Sequence, residues 1–384
     1  MKFDFSAATR ILFGPGRVSE AGAAAGAYGG NALAVLGGHP ERAGSLVEGL
    51  RLAGLKVRTF PVASEPTVDN VRRGAEEARK AGCRVVLGAG GGSVLDAAKA
   101  VAALLTNPGD PMDYLEVIGS GKPLPNPPAP CIAIPTTAGT GTEVTQNAVI
   151  ASPEHRVKVS LRSPLLVPRV AIVDPLLTLT CPAGVTAASG LDALTQLIEP
   201  FTCVQPNPVA DALCRDGMAR IRRSLRRAWE DGSDAAARED MALAALFSGL
   251  ALSNAKLGAV HGIAAPLGGM TAAPHGAACS RLLPEVMDVN IRLLRGGAGA
   301  PGALERYTEV ARILTTDPAA TPEAGADWVR GLTEALGIPG LSGYGLTAGM
   351  FEELAGKALK ASSMKGNPVP LGVEDIVGIL SKAL

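Results

Sequence analysis

Polar residues in the C-terminal half have the types and spacing of a divalent-metal site. The segment SGLDALTQLIEP has the period of a helix that ends at its proline, and Asp192 and Gln196 share one face of that helix. A carboxylate buried on an apolar helix needs a cation or hydrogen-bond donors to compensate its charge. Further along, His261 and His275, two of only four histidines, lie on either side of a PLGG turn. If they converge with Asp192, a carboxylate and two imidazoles would suit zinc, iron or another divalent ion.

A glycine-rich turn in the N-terminal half is typical of a pyrophosphate-binding site. A strand leads through Gly90, Gly91 and Gly92 into a helix that opens at Ser93, with Asp96 on its first turns. Glycines let the backbone approach a ligand closely, and a helix N-terminus adds positive partial charge. Because Ser93 stands where the GxGxxG pattern has its third glycine, an ordinary strand-to-helix turn capped by Ser93 is the alternative.

A second polar loop, IPTTAGTGTEVT, also follows a strand. Its hydroxyl groups belong to Thr136, Thr137, Thr140 and Thr142, and they are suited to contacting ribose or phosphate oxygens. Two such loops at the ends of successive strands favour one extended ligand, for which a dinucleotide is the natural candidate. We assign Lys158, further along the chain, to the same cofactor site.

The elements that must position these residues change in character near residue 180. The first half alternates helical segments with strand-like runs, namely NALAVLGG, GLKVRTFPV, CRVVLGAGGG, PCIAIPTTAGTGT and RVAIVDP. That order predicts an α/β domain over residues 1–180 with a parallel sheet. From about Pro182 onward, helical periodicity dominates, which predicts an all-α domain over residues 181–384. A ligand crevice between the two domains is the expected place for chemistry.

Composition narrows the classes of partner. Lys+Arg and Asp+Glu both number 36 among 384 residues, so no global basic field points to nucleic acid or to an anionic membrane. The N-terminus lacks the apolar core of a signal peptide, and no apolar run reaches the ~20 residues that span a bilayer. We therefore expect a soluble, cytoplasmic protein. The six cysteines form no CxxC pair and are assigned no chemistry.

The sequence resembles the iron-containing (group III) alcohol dehydrogenases nearly end to end. The motifs that carry the resemblance are FGPG, GGGSVLDAAK, PTTAGTGTE, GLDALTQLIE, HGIAAPLGG, PHG and NPVPLGVEDI. The resemblance implies an N-terminal dinucleotide-binding domain, a helical C-terminal domain and a divalent metal in the cleft, iron or zinc, that polarises the substrate oxygen. It also implies hydride transfer between nicotinamide and a small alcohol or aldehyde.

Carried over by position, the family's metal ligands fall on Asp192, Gln196, His261 and His275. The family usually has histidine at position 196, and a carboxamide oxygen is a weaker, neutral ligand. A further histidine common in the family corresponds here to Ala265. Because of both departures, the resemblance alone does not carry metal dependence over to this chain, although the two histidines are still expected to act in catalysis.

Lys256 is a candidate to replace the metal. It precedes His261 by five residues in a small, apolar segment. Its ammonium group could hold an anionic substrate or polarise a carbonyl, and the alternative is a surface lysine that extends into solvent.

The cofactor's 2′ position is expected at the end of the strand NALAVLGG. Members of the family that prefer NAD often carry an acidic residue there, whereas this chain has Gly37 and Gly38, followed by His39 and Arg42. Either NAD or NADP is admissible, with NADP slightly favoured.

The leading prediction is an NAD(P)-dependent alcohol dehydrogenase or aldehyde reductase that acts on a small molecule, neutral or anionic, and forms a homo-oligomer. A dehydroquinate synthase-like NAD-dependent lyase is one alternative. A nucleotide-binding protein that has lost catalysis is the other, which Gln196 and Ala265 make conceivable.

Overall fold

A parallel sheet forms the centre of the N-terminal half in this computed structural model, which describes residues 3–8, 10–155 and 157–384. The strands, in chain order, are β1 (Arg10–Phe13), β2 (Asn31–Gly37), β3 (Lys56–Val62), β4 (Val85–Gly90), β5 (Cys131–Pro135), β6 (Asn147–Ser152), β7 (Val157–Arg162) and β8 (Val170–Val173). Six of them form one sheet in the order β1-β8-β5-β4-β2-β3, and every neighbouring pair in that sheet is parallel.

Helices cover both faces of the sheet. They are α1 (Ala21–Gly26), α2 (Gly44–Leu52), α3 (Val68–Lys80), α4 (Gly92–Thr106) and the short α5 (Pro111–Tyr114). Alternate side chains of β2 point to opposite faces: Leu36 packs with α1 and α2, whereas Leu33 and Val35 pack with α3 and α4. The central strands are buried on both sides, which explains their continuous apolar runs. The predicted parallel α/β fold is confirmed.

Three strands were missed in the sequence. β1 pairs with β8 at one edge of the sheet, and β6 and β7 form a separate antiparallel hairpin. The hairpin has the alternation of buried and partly exposed residues that marks a half-buried strand, with Ile150, Val159 and Leu161 turned inward. Its period of two was therefore the signal that could have revealed it.

The C-terminal half is helical, as predicted. Its helices are α6 (Ala183–Thr202), α7 (Pro208–Glu230), α8 (Ala235–Asn254), α9 (Ala259–Met270), α10 (His275–Arg295), α11 (Ala303–Thr315), α12 (Pro322–Ala335), α13 (Phe351–Ala358) and α14 (Val373–Ala383). From Gly190 to Thr202 every residue of α6 is buried. A helix buried on all sides is the central element of its core, so the polar side chains of α6 are shielded from solvent.

Two predicted helix boundaries are wrong. Pro200 lies inside α6, two residues before its end, and the PLGG segment with Pro266 lies inside α9 rather than forming a turn. Proline removes one backbone hydrogen bond from a helix. Burial of the apolar face of α9, which includes Ile263 and Leu267, outweighs that local preference.

The described residues group into two compact units. The helical unit contains residues 180–384 together with two short segments, 3–6 and 138–140. The α/β unit contains the described residues within Ala7–Thr137 and Gly141–Leu179. In the described part of the chain, no single helix has both the length and the apolar composition needed to cross a membrane. Helices α8 and α9 meet those criteria only as a pair, bent by 99°.

Candidate active site

The helical unit brings together one carboxylate, two imidazoles and one thiol. Asp192 comes from α6, His261 from the first turn of α9, and His275 and Cys279 from the beginning of α10. One potential ligand atom from each of the four lies within 4.8 Å of the others. Three of the four residues predicted as metal ligands are therefore neighbours in space.

Two buried atoms of this cluster have no hydrogen-bond partner among the described residues: Oδ1 of Asp192 and Nε2 of His261. Oδ1 of Asp192 lies 3.8 Å from Nε2 of His261 and 3.6 Å from Nε2 of His275. These separations are too long for hydrogen bonds, and buried polar atoms are usually paired. A cation between them would pair both atoms, so the residues present fit a divalent metal.

Glu199 supports His261 from the side opposite the cluster. Its Oε2 lies 2.5 Å from Nδ1 of His261, and its Oε1 accepts a 2.7 Å hydrogen bond from the backbone N–H of Val260. Burial lowers the pKa of His261, but the attraction of Glu199 and the hydrogen bond to it outweigh burial and raise the pKa. In the neutral ring with its proton on Nδ1, the form that binds a metal, Nε2 presents its lone pair to the cluster. Glu199 was not among the predicted site residues, although it follows Asp192 by seven residues and so shares its helix face.

Replacing Glu199 with glutamine is expected to lower the affinity for Zn²⁺ by about 10- to 100-fold, because a neutral amide orients and polarises the His261 ring less well than a carboxylate. Competition titration against a metal-binding dye measures the change. Glu285→Gln is the matched control, since Glu285 is also a buried carboxylate of the helical unit but pairs with Arg330. Equal affinity of the two variants would contradict the role of Glu199.

Gln196 does not present its oxygen to the cluster. Its Nε2 donates a 3.0 Å hydrogen bond to Oδ2 of Asp192, and its Oε1 accepts one of 3.0 Å from the hydroxyl of Ser248. In this orientation Gln196 holds the carboxylate of Asp192, and its predicted role as a metal ligand stays a prediction.

Cys279 also belongs to the cluster, although no cysteine was among the predicted site residues. It follows His275 by four residues on α10, and its Sγ lies 3.6 Å from Nε2 of His275. Burial, together with the negative charges of Asp192 and Glu199, raises the pKa of this thiol well above its usual value. The expectation that the cysteines carry no chemistry overlooked the spacing of four that places a thiol and an imidazole on one helix face.

In the α/β unit, the two predicted cofactor loops are adjacent. Gly90, at the end of β4, pairs in register with Pro135, at the end of β5, and the N–H of Thr136 donates to the carbonyl of Gly90 at 2.9 Å. A β-carbon placed on Gly91 would lie 3.6 Å from the side chain of Thr137. The glycine loop and the start of the threonine loop therefore lie side by side.

The strand order places a switch point beside these loops. From β2 the chain continues to β3 on one side, and from β4 it continues to β5 on the other side. In open α/β sheets, ligands bind beyond the carboxyl ends of the strands where the direction of winding reverses. Gly37 ends β2 and Gly38 follows it at this edge, next to the glycines at the end of β4.

Helix α4 begins at Gly92 with Gly91 as its N-cap, and no side chain caps it. Ser93 is therefore neither the first residue of the helix nor its cap, which corrects both statements made from the sequence. The first backbone N–H groups of a helix have no partner within it and favour an anion. A β-carbon on Gly90 would lie 2.6 Å from Val94, so packing requires that glycine, whereas Gly91 has room.

Asp96 is buried beneath the loop rather than exposed at its edge. Its Oδ1 lies 3.8 Å from Nζ of Lys99, and burial raises the pKa of Asp96 to about 7 despite the opposing charge of that lysine. Lys99 is wholly buried and donates to the carbonyls of Thr142 and Thr145 and to the hydroxyl of Thr145. This arrangement ties α4 to the second loop. Asp96 therefore supports the loop from below, and its direct contact with the cofactor stays a prediction.

The other residues predicted for the cofactor site or for catalysis lie in several different elements. Thr140 belongs to the helical unit, whereas Thr142 is buried in the α/β unit. Lys158 lies on β7, 3.1 Å from Glu65. Lys256 is exposed in the loop between α8 and α9 and has no ion pair within the described ranges, in contrast to the buried cluster.

Comparison with known proteins gives matches along nearly the whole chain. Residues 8–175 match the iron-containing alcohol dehydrogenase model, and residues 186–384 match the C-terminal model of the same family. A choline dehydrogenase from Bacillus subtilis is 34% identical over 376 residues, which cover 95% of this chain and 90% of the relative. A crystal structure of a 1,3-propanediol oxidoreductase superposes with a TM-score of 0.93 at 33% identity, covering all of both chains.

A further solved structure contains a dinucleotide. The sulfoacetaldehyde reductase from Bifidobacterium kashiwanohense in complex with NAD⁺ has a TM-score of 0.88 at 29% identity and covers 100% of this chain and 99% of its own. These matches agree with the fold described above, a parallel sheet in the N-terminal half and helices in the C-terminal half. The chain belongs to the iron-containing alcohol dehydrogenase family and is an oxidoreductase that acts on CH–OH groups.

Proposed function

We propose that this enzyme interconverts a small alcohol and its aldehyde, using NAD(P) bound at the two loops of the α/β unit and a divalent metal bound at the histidine cluster. The observation that carries the metal assignment is a pair of buried atoms, Oδ1 of Asp192 and Nε2 of His261, that have no hydrogen-bond partner among the residues that the structure describes. Neither the lyase nor the non-catalytic alternative has comparable support.

The roles of the residues follow from their contacts. Asp192, His261 and His275 would hold the metal, and Glu199 would keep the ring of His261 in the orientation that binds it. When bound, the metal polarises the oxygen of the alcohol or aldehyde, and the nicotinamide exchanges the hydride with its carbon.

The cofactor would be bound largely by backbone groups. The N–H groups at Gly92 and Ser93, together with the positive end of α4, would hold the pyrophosphate. Thr136 and Thr137, both half-buried, would contact ribose or phosphate oxygens.

The choice between NAD and NADP is part of the proposal. Gly37 and Gly38 offer no carboxylate to repel a 2′-phosphate, which favours NADP. The exposed Glu41, which lies 3.1 Å from His39, brings a carboxylate close to this position. That carboxylate favours NAD. Because the two strand-end glycines lie at the predicted 2′ position itself, we propose NADP as the cofactor.

Replacing Gly37 with aspartate is expected to lower the ratio of kcat/KM for NADPH to that for NADH by roughly tenfold or more, because a carboxylate would repel the 2′-phosphate. A β-carbon at this position would meet only a methyl group of Val94, at 3.9 Å, so the substitution fits the fold. Gly37→Asn is the neutral control. A ratio that does not fall would place the 2′ position elsewhere.

Substrate charge differs among the relatives, whose names specify choline, propanediol or sulfoacetaldehyde. For this chain we propose a small alcohol or aldehyde, and if the substrate carries an anionic group, the exposed ammonium group of Lys256 is its candidate partner. We also propose that the protein forms a homo-oligomer and is located in the cytoplasm.

Treatment with a strong chelator and the substitution Lys256→Met together test how the substrate oxygen is stabilised. We expect loss of activity after chelation, its recovery with Zn²⁺ or Fe²⁺, and retention of most activity with a neutral aldehyde in Lys256→Met. Oxidation of NADPH and NADH is followed across a panel of neutral and anionic aldehydes. If the activity resists chelation but is lost in Lys256→Met, the ammonium group and not a metal stabilises the substrate oxygen. If NAD(P)H oxidation depends on none of the aldehydes, the proposed function is refuted.

A further inference from the structure

We propose that the thiolate of Cys279, rather than the carboxamide of Gln196, is the fourth metal ligand of this protein. The inference rests on the proposed function only in assuming that the cluster binds a divalent metal. It assigns this chain a site with one oxygen, two nitrogen and one sulfur donor, held by Asp192, His261, His275 and Cys279.

The separations between donor atoms suit a tetrahedral site. Bonds of about 2.0 Å to nitrogen or oxygen and about 2.3 Å to sulfur give donor–donor distances of roughly 3.3–3.6 Å. Sγ of Cys279 and Oδ1 of Asp192 each lie 3.6 Å from Nε2 of His275. The distance from Oδ1 of Asp192 to Nε2 of His261 is 3.8 Å. These three of the six donor–donor distances are within about half an ångström of the expected values.

Two independent observations point to a ligand at this place besides the cysteine itself. Asp192 and His261 are 2% and 7% exposed, and each has a buried polar atom directed into the cluster without a hydrogen-bond partner in the described part of the chain. Cys279 is wholly buried, so its thiol faces these atoms rather than solvent. Helix α10 supplies His275 and Cys279 one turn apart, a spacing that lets both side chains bind the same ion.

The carboxamide of Gln196 already has two partners. Its Nε2 bonds to Oδ2 of Asp192 and its Oε1 to Ser248. Turning the amide over to present its oxygen would break the bond to Asp192, and the gain would be a neutral, weak donor. Cys279 offers a stronger donor, and its existing 3.6 Å contact is with Nε2 of His275, which would bind the same ion.

Binding would convert the thiol to a thiolate. The S–H bond of Cys279 breaks, its proton passes to solvent, and the sulfur lone pair forms the bond to the metal, with no change of oxidation state. Thiolate ligands favour Zn²⁺ and other soft or borderline ions over hard ones. The sulfur is therefore expected to shift the metal preference of this chain toward Zn²⁺ relative to a site of only oxygen and nitrogen donors.

Adding Co²⁺ or Cd²⁺ to the metal-free full-length protein tests the ligand directly, because thiolate coordination produces a sulfur-to-metal charge-transfer band. We expect this band in the wild type and in Cys83→Ser, a matched change at a buried cysteine of the α/β unit, and its loss in Cys279→Ser. We also expect Cys279→Ser to weaken Zn²⁺ binding by more than about 100-fold, and Gln196→Ala by only about 10-fold.

X-ray absorption of the zinc-loaded wild type provides a readout that does not depend on any variant folding. A sulfur neighbour at about 2.3 Å supports the inference. A site that binds zinc with only nitrogen and oxygen neighbours overturns it, while the metal-dependent function stands. If the wild-type protein binds none of Co²⁺, Cd²⁺ and Zn²⁺, both this inference and the metal in the proposed function are overturned. The dehydrogenase activity itself is tested separately, by aldehyde-dependent oxidation of NAD(P)H.

Discussion

Replacing Asp192 with asparagine is expected to lower kcat/KM for the aldehyde by at least about 1000-fold, the largest loss anticipated for any single change in this protein. Asp192 is the only carboxylate in the cluster of potential ligands, and its Oδ1 lies 3.8 Å from Nε2 of His261 and 3.6 Å from Nε2 of His275. Asparagine keeps the size of the side chain but removes the negative charge that balances a divalent ion. Metal content and activity should therefore fall together.

Measurement of bound metal by elemental analysis and of steady-state NAD(P)H oxidation checks this expectation. Asp234→Asn is the matched control, because Asp234 caps helix α8 of the same unit and asparagine caps helices equally well. The control should retain metal and activity. An Asp192→Asn protein with normal metal content would show that the carboxylate is not a ligand, and one with normal activity would remove the cluster from catalysis.

The second large effect is expected for Gly91→Val, which should raise the dissociation constant of NAD(P)H by roughly 100-fold or more. Gly91 is the N-cap of α4, and the branched side chain would occupy the space through which the pyrophosphate approaches the backbone. The backbone angles at Gly91, φ −73° and ψ −179°, are ordinary for valine, and its β-carbon would lie 3.6 Å from Thr137. The fold should thus be preserved.

Fluorescence titration with NADPH and NADH measures this change, and thermal unfolding reports on the fold. Gly49→Val is the control, since Gly49 lies on the exposed side of α2, where a β-carbon meets nothing within 4 Å. Unchanged affinity in Gly91→Val would show that the glycine loop is only a structural turn. Gly90 is unsuitable for the same test, because its β-carbon would collide with Val94.

The alternation of strands and helices was readable from the sequence because it follows from local burial. Strands such as β4 and β5 are buried on both faces and therefore appear as continuous apolar runs between helical segments. The helix boundaries at Pro200 and Pro266 were not readable, since the proline signal is local whereas the packing that overrides it comes from neighbouring helices.

The candidate site was readable only in part. The types and spacing of Asp192, His261 and His275 pointed to a metal site, and the structure places them together. The direction of the Gln196 carboxamide depends on Asp192 and on Ser248, which lies on another helix, so no local pattern could indicate it.

The kind of chemistry open to this protein can be read from its residues alone, because the ligand types, the glycine loops and the family motifs are properties of the residues and of their neighbours along the chain. Which of the candidates meet is a matter of tertiary packing. Helices α6, α9 and α10 pack so that Cys279 joins Asp192 and the two histidines, while Lys256 is left exposed in a loop. The physical reason is that distances between residues remote in sequence depend on how the buried faces of the helices fit together, which local patterns do not specify.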